Sequence, residues 1–159
     1  MKTLYLVRHA QAEPPAAARS DRERALDARG VDDAARAGAR LAARGVRPAR
    51  LIASPALRAL TTAQLFADAL GIARGRIVID ERLYASTVET LLAIVRALDH
   101  EPDVDSVMLF GHNPEFSDLA RRLSPAIAGL HTCAVAVFDL DGTWRELGVR
   151  APLRAALDA

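Results

Sequence analysis

Residues Thr3 to Val7 form a short run rich in β-formers that stops abruptly at Arg8-His9. Such a run, cut off by charge, predicts a buried strand that feeds a loop. Two side chains able to carry positive charge are costly inside an apolar core. They fit the carboxyl edge of a sheet, where open α/β folds bind their ligands. This makes the start of the chain a buried strand with a candidate site at its carboxyl end.

The remaining segments supply matching parts. Gln11 to Arg24 is polar, carries Pro14-Pro15 and is expected to be a surface loop. Asp27 then caps a helix that Gly45 stops, with Val31, Ala34, Ala35, Gly38, Leu41 and Ala42 on its inner face. Arg50 to Ala53 is a second strand. Ser54-Pro55 is expected to be an N-cap followed by proline at the first helical position, with the helix running to about Leu70. Leu57, Leu60, Ala63, Ala67 and Leu70 are its inward set. Arg76 to Ile79 is a third strand, Val88 to Leu98 a third helix, and Ser106 to Phe110 a fourth strand. Asn113-Pro114 repeats the cap-plus-proline device before a helix to about Leu123. Cys133 to Leu140 and Thr143 to Val149, joined by Asp141-Gly142, form a β-hairpin pattern, and residues 152 to 159 a terminal helical turn. Strands alternating with helices and closed by a hairpin predict an α/β three-layer sandwich. Its central sheet is mostly parallel, with helices on both faces. With no internal repeat or linker, residues 1–159 are expected to form one domain.

Composition narrows the function. The 159 residues carry a net charge of +1, which gives no electrostatic case for nucleic acid or an anionic membrane. Lys2 is the only lysine. No stretch approaches the ~20 apolar residues of a membrane span, and the N-terminal run is too short for a signal peptide, so a cytoplasmic location is expected. Cys133 is the one cysteine, excludes an internal disulfide, and reads as a small buried hydrophobe.

The chemistry lies at three strand exits: Arg8 and His9, Arg58, and His112. In a parallel sheet these exits face one side. Arg58, in the first turn of its helix, leans back over the strand ends. His112 adjoins a helix N-terminus with its unpaired N–H groups. Two arginines, two histidines and two helix N-termini around one crevice describe an anion site, most naturally for phosphate. Histidine is a common metal ligand, but two arginines repel a divalent cation and no carboxylate or thiol cluster completes a coordination set. No metal or other cofactor is expected. His100 and His131 are read as structural.

Arg8-His9 after a strand, Ser54-Pro55 with Arg58, and Gly111-His112-Asn113-Pro114, in that order, resemble the histidine phosphatase superfamily with its phosphoglycerate-mutase-like fold. The resemblance spans residue 1 to about 150. It implies that His9 is the nucleophile and is transiently phosphorylated, while Arg8, Arg58 and His112 clamp the phosphoryl oxygens. Asn113 joins the substrate-binding set. Glu81, after the third strand, stands where many members place an acidic proton donor; a salt-bridged surface role is the other reading. Where members often have Leu-Thr-x-x-Gly, this chain has Leu26-Asp27-Ala28-Arg29-Gly30, in which Asp replaces Thr as a cap.

Few residues separate Glu81 from Val88, so there is little room for a lid and the crevice is expected to be shallow and open. The compact length and the Gly111-His112-Asn113-Pro114 segment resemble the small bacterial phosphohistidine phosphatases that act on histidine phosphotransfer domains. A leaving imidazole also depends less on a proton donor than an alkoxide does. The other readings are a small-molecule phosphomonoesterase of the same superfamily, acting on a small phosphate ester, and a noncatalytic phosphate-binding module.

Overall fold

In a computed structural model, which describes residues 1–158, the apolar run after Met1 becomes β1 (Lys2–Arg8), an inner strand of the sheet. Leu4, Leu6 and Val7 are fully buried because side chains leave the strand on both faces and both faces are covered. The elements that follow are α1 (Ala28–Ala43), β2 (Arg50–Ala53), α2 (Leu57–Leu70) and β3 (Ile77–Ile79). They continue with α3 (Val88–Arg96), β4 (Ser106–Gly111), α4 (Glu115–Leu123), β5 (Val135–Leu140) and β6 (Arg154–Asp158).

The sheet order is β3-β2-β4-β1-β5-β6. The first four of these strands are parallel to one another, and β5 and β6 are antiparallel additions. Leu4 and Leu6 join a core with Leu91, Leu92, Phe116 and Leu119 of α3 and α4. Val7 joins a second core with Ala34, Leu41, Phe66 and Leu70 of α1 and α2. The result is three layers, helices covering both faces of a mostly parallel sheet. The helix after β1 lies on one face and the helix after β4 on the other, although the two strands are neighbours. Their carboxyl ends therefore flank a crevice at the edge of the sheet.

Helix α1 starts where the sequence places it: Asp27 accepts a hydrogen bond from the Gly30 N–H at 2.7 Å. Its inner face is Gly30, Ala34, Ala37, Gly38 and Leu41, whereas Val31 is 42% exposed. The helix is turned this way by Gly30, which presses on the loop after His9. A Cβ there would stand 2.0 Å from the Gln11 carbonyl oxygen. In α2, Leu57 likewise faces out at 41% exposure. Ser54-Pro55 does not cap that helix; its N-cap is Ala56, and Ser54 is used elsewhere.

The C-terminal hairpin differs from expectation in its second strand. Gly142 (φ 97°) does turn the chain, but Thr143 to Val149 is not a strand. Trp144 lies in a single helical turn, fully buried, with its indole Nε1–H donating to the Val104 carbonyl at 2.7 Å. Burying that ring outweighs the local turn-and-strand pattern. The partner of β5 is instead β6, with Asp139 opposite Arg154 and Val135 opposite Asp158. In place of the terminal helical turn expected over 152 to 159 there is a strand over Arg154–Asp158, with Ala159 outside the described residues. Its alanines favour a helix in isolation, yet β5 offers an open row of backbone donors and acceptors.

Trp144→Ala should cost about 3–5 kcal/mol in urea unfolding, the range for an aromatic removed from a core. A cost under about 0.5 kcal/mol, as for an exposed site, would contradict this placement.

Candidate active site

The site is assembled by backbone bonds at the strand ends. The His9 N–H donates to the Gly111 carbonyl at 3.0 Å, extending the β1–β4 ladder one residue past Arg8. The Ser54 N–H donates to the Phe110 carbonyl at 3.0 Å, bringing the end of β2 alongside. The N–H of Cys133 donates to the carbonyls of both Arg8 and His9, at 3.1 Å each. Thr62 ties the two halves together: its hydroxyl accepts the Ala10 N–H at 3.1 Å and donates to the Arg58 carbonyl at 2.7 Å. One side chain on α2 thus fixes both the loop after His9 and the turn that carries Arg58.

These bonds bring together Arg8, His9, Arg58 and His112 from three strand exits, as expected. The rings of His9 and His112 lie 5.3 Å apart between centroids, tilted by 54°. His9, Arg58 and His112 are all buried or nearly so. His9 Nδ1 lies 2.7 Å from the Ala10 carbonyl oxygen. A carbonyl can only accept, so Nδ1 carries the proton and Nε2 keeps its lone pair. Burial lowers the His9 pKa from its usual 6.5 to about 4; the bond to Ala10 opposes this and the charges of Arg58 and Arg8 reinforce it. The ring is neutral at physiological pH.

His112 is neutral for similar reasons, its pKa lowered by burial and then by Arg58 to about 3. Its Nε2 lies 2.8 Å from Ser54 Oγ, which also accepts the Ala56 N–H at 3.2 Å. When the Ser54 hydroxyl donates to Nε2, His112 carries its proton on Nδ1, which is buried and has no partner among the described residues. That atom is then a donor available to an anion. Among the described residues Arg8 Nε is a second buried donor without a partner, while Arg8 Nη1 donates to the Leu130 carbonyl at 3.2 Å.

Asn113 is engaged structurally. Its amide nitrogen donates to the Leu130 carbonyl at 2.8 Å, and its oxygen accepts from the N–H and hydroxyl of Ser117 at 3.2 and 2.8 Å. It holds to α4 the same carbonyl that Arg8 touches. Its oxygen takes the Ser117 N–H from one residue outside the position expected, since α4 begins at Glu115 after Pro114. Glu81 lies on the rim, its side chain 71% exposed, paired with Arg22 at 2.8 Å. The Arg22 guanidinium lies over the Tyr84 ring at 5.1 Å, and Tyr84 meets His112 edge-on at 5.7 Å.

The crevice is not open, because the loop after β1 folds across it. Asp21 reaches Arg58, with Nη2 to Oδ2 at 2.9 Å and Nη1 to the Asp21 carbonyl at 2.7 Å. Asp21 also accepts from the Tyr84 hydroxyl at 2.6 Å and from Arg24 at 3.0 Å. Sequence reasoning names neither Asp21, Arg24 nor Thr62, which lie in no motif. Cys133 is buried as expected, and burial pushes its thiol up to about 11. Among the described residues, no group of three or more His, Cys, Asp or Glu is arranged to hold a metal ion.

A buried pair of neutral histidines flanked by two guanidinium groups at the edge of an α/β sandwich defines an oxyanion-handling enzyme site. The chain belongs to the histidine phosphatase superfamily, branch 1, whose family model matches residues 4–132. It is a phosphatase, and thus a hydrolase. Its structure is similar to that of the SixA protein of Agrobacterium tumefaciens, with 31% identity and a TM-score of 0.79 over 87% of this chain and 92% of that one. It is also similar to the protein histidine phosphatase SixA bound to tungstate, with 26% identity and a TM-score of 0.80 over 99% and 94% of the two chains. A chloroplastic protein of Arabidopsis thaliana is 28% identical over 153 residues, covering 91% of this chain and 70% of that protein. Among the described residues no helix is long and apolar enough to cross a membrane.

The lowered pKa of His9 can be read directly. A histidine whose folded pKa is depressed is neutral above it and gains its proton only as pH falls through it. In an NMR titration of the free protein, the His9 ring nitrogens should titrate near pH 4, with Nε2 in the unprotonated range at pH 7. A midpoint near 6.5 would show that burial does not govern this ring.

Proposed function

We propose that the protein hydrolyses phosphohistidine on a protein, most fittingly a histidine phosphotransfer domain, through a covalent phosphohistidine on His9. The observation that carries this is the bond from His9 Nδ1 to the Ala10 carbonyl, which leaves a neutral imidazole with its Nε2 lone pair free. The similarity to the SixA proteins supports the substrate class.

In the first step the Nε2 lone pair of His9 forms a bond to phosphorus as the bond to the leaving nitrogen breaks. The leaving imidazole keeps that electron pair and takes a proton from water. Arg8, Arg58 and His112 Nδ1 hold the three equatorial oxygens, whose charge they offset throughout transfer. In the second step water attacks phosphorus, the N–P bond breaks toward His9, and phosphate leaves with His9 restored. An imidazole is a good enough leaving group to need no strong acid. That suits a site in which the carboxylate bonded to Arg58, Asp21, is kept ionised, its pKa held well below the usual range by the Tyr84 hydroxyl and then by Arg24 and Arg58. For an alkyl ester, Glu81 is the rim carboxyl that could serve as donor, and this keeps a small-molecule phosphomonoesterase as the second reading. A binding module without turnover is disfavoured by the free Nε2, which binding alone does not require.

The decisive comparison is hydrolysis of a phosphorylated histidine phosphotransfer domain against a panel of small phosphate monoesters, with EDTA present. Loss of phosphate from the protein, absent in His9→Ala, is the expected result. Activity confined to one small ester, and reduced in Glu81→Gln, would favour the second reading. With p-nitrophenyl phosphate, Arg58→Ala should lower kcat/KM by roughly 10²–10³, as for removal of one preorganised donor. A near-normal value would remove Arg58 from the clamp.

A further inference from the structure

Asp21 lies on the exposed stretch between Pro14 and Glu23, in a single helical turn with no buried residue. Nothing in that stretch requires it to touch the site. Yet it engages both terminal nitrogens of Arg58, one through its carboxylate and one through its own carbonyl. The carboxylate is shared with the Tyr84 hydroxyl and with Arg24. In the free protein one residue of the chain therefore fills the guanidinium fork that a phosphoryl group would need.

We infer that Asp21 is a specificity-determining residue, an internal carboxylate that occupies the Arg58 clamp and that a ligand must displace in order to bind. The inference rests on the reading of this crevice as a phosphoryl site. A tethered group competes at an effective concentration in the millimolar range or above. A free carboxylate offers two oxygens to a fork that Asp21 already satisfies, so it gains nothing by exchange. A tetrahedral phosphoryl group also reaches donors that Asp21 leaves unused, namely Arg8 Nε and His112 Nδ1, both buried and without a partner among the described residues. Only an anion able to engage the floor of the site as well as its rim wins the exchange. The site thereby rejects carboxylate metabolites while admitting phosphoryl groups.

The exchange is modest in cost. The Asp21 side chain is 49% exposed while that of Arg58 is 8% exposed, so water screens the pair from one side. Backbone bonds close the two ends of the loop, with the Glu13 N–H on the Ala25 carbonyl at 2.8 Å, while Asp21 and its neighbours meet the rest of the protein through side chains, including Arg22 to the exposed Glu81. Segments with few buried contacts open at low free energy.

Calorimetric titration of the full chain with inorganic phosphate, and separately with acetate, tests this for wild type, Asp21→Asn and Asp21→Ala. Asp21→Ala should tighten phosphate binding by roughly three- to ten-fold and make acetate binding measurable. Asp21→Asn, which keeps the shape and loses the charge, should fall between it and wild type. If Asp21 merely braces the loop, both variants will bind phosphate no better than wild type and acetate will stay undetected, which overturns the inference. Failure of the underlying reading looks different: wild-type phosphate binding would then be absent, or would survive in Arg58→Ala. Either result removes the clamp itself and Asp21's role with it.

Discussion

The structure depends on the parallel pairing of β1 with β4, in register from Thr3 opposite Ser106 to Arg8 opposite Gly111. The pairing is continued by the His9 N–H to the Gly111 carbonyl, so the residue that follows each strand is fixed relative to its neighbour. A slip of one residue would swap the faces of β1, sending Leu4 and Leu6 to the side now held by Val7. It would also part the two imidazoles. Core and chemistry are therefore set by the same register, and neither can drift without the other.

The groups that give the site its character are backbone carbonyls and small hydroxyls. The Ala10 carbonyl chooses the tautomer of His9, the Leu130 carbonyl holds Arg8, and the hydroxyls of Ser54 and Thr62 bridge elements that the sequence sets far apart. Such partners are rigid because the sheet and helices that carry them are rigid. The His9 imidazole is thus oriented before any ligand arrives, which suits the nucleophile role proposed for it, since orientation is a large part of what phosphoryl transfer needs from a protein.

Much of this was legible in the sequence because hydrophobic period and strand-end chemistry are local. The alternation of elements and the cap at Asp27 follow from residues within a few positions of one another, and Arg8, His9, Arg58 and His112 each come just after a strand, so parallel pairing puts them on one side. The misplacements have a different origin. The Asp141-Gly142 turn was visible, but the strand it leads to was decided by the burial of Trp144 against Val104, a contact across forty positions. Ser54 had the local credentials of a helix cap and was drawn instead to His112. Asp21 carries no local mark at all; its placement depends on Arg58 and Tyr84, which meet it only in three dimensions.

Holding both imidazoles uncharged has a consequence for energetics. A phosphate dianion placed beside His112 favours the protonated ring and so raises its pKa. Proton uptake accompanies ligand capture only between the free value, about 3, and the raised one. Above that window both rings stay uncharged on binding, so the site meets an anion with oriented neutral donors and fixed guanidinium charge rather than with a captured proton. The heat of association measured there would be independent of the ionisation enthalpy of the buffer.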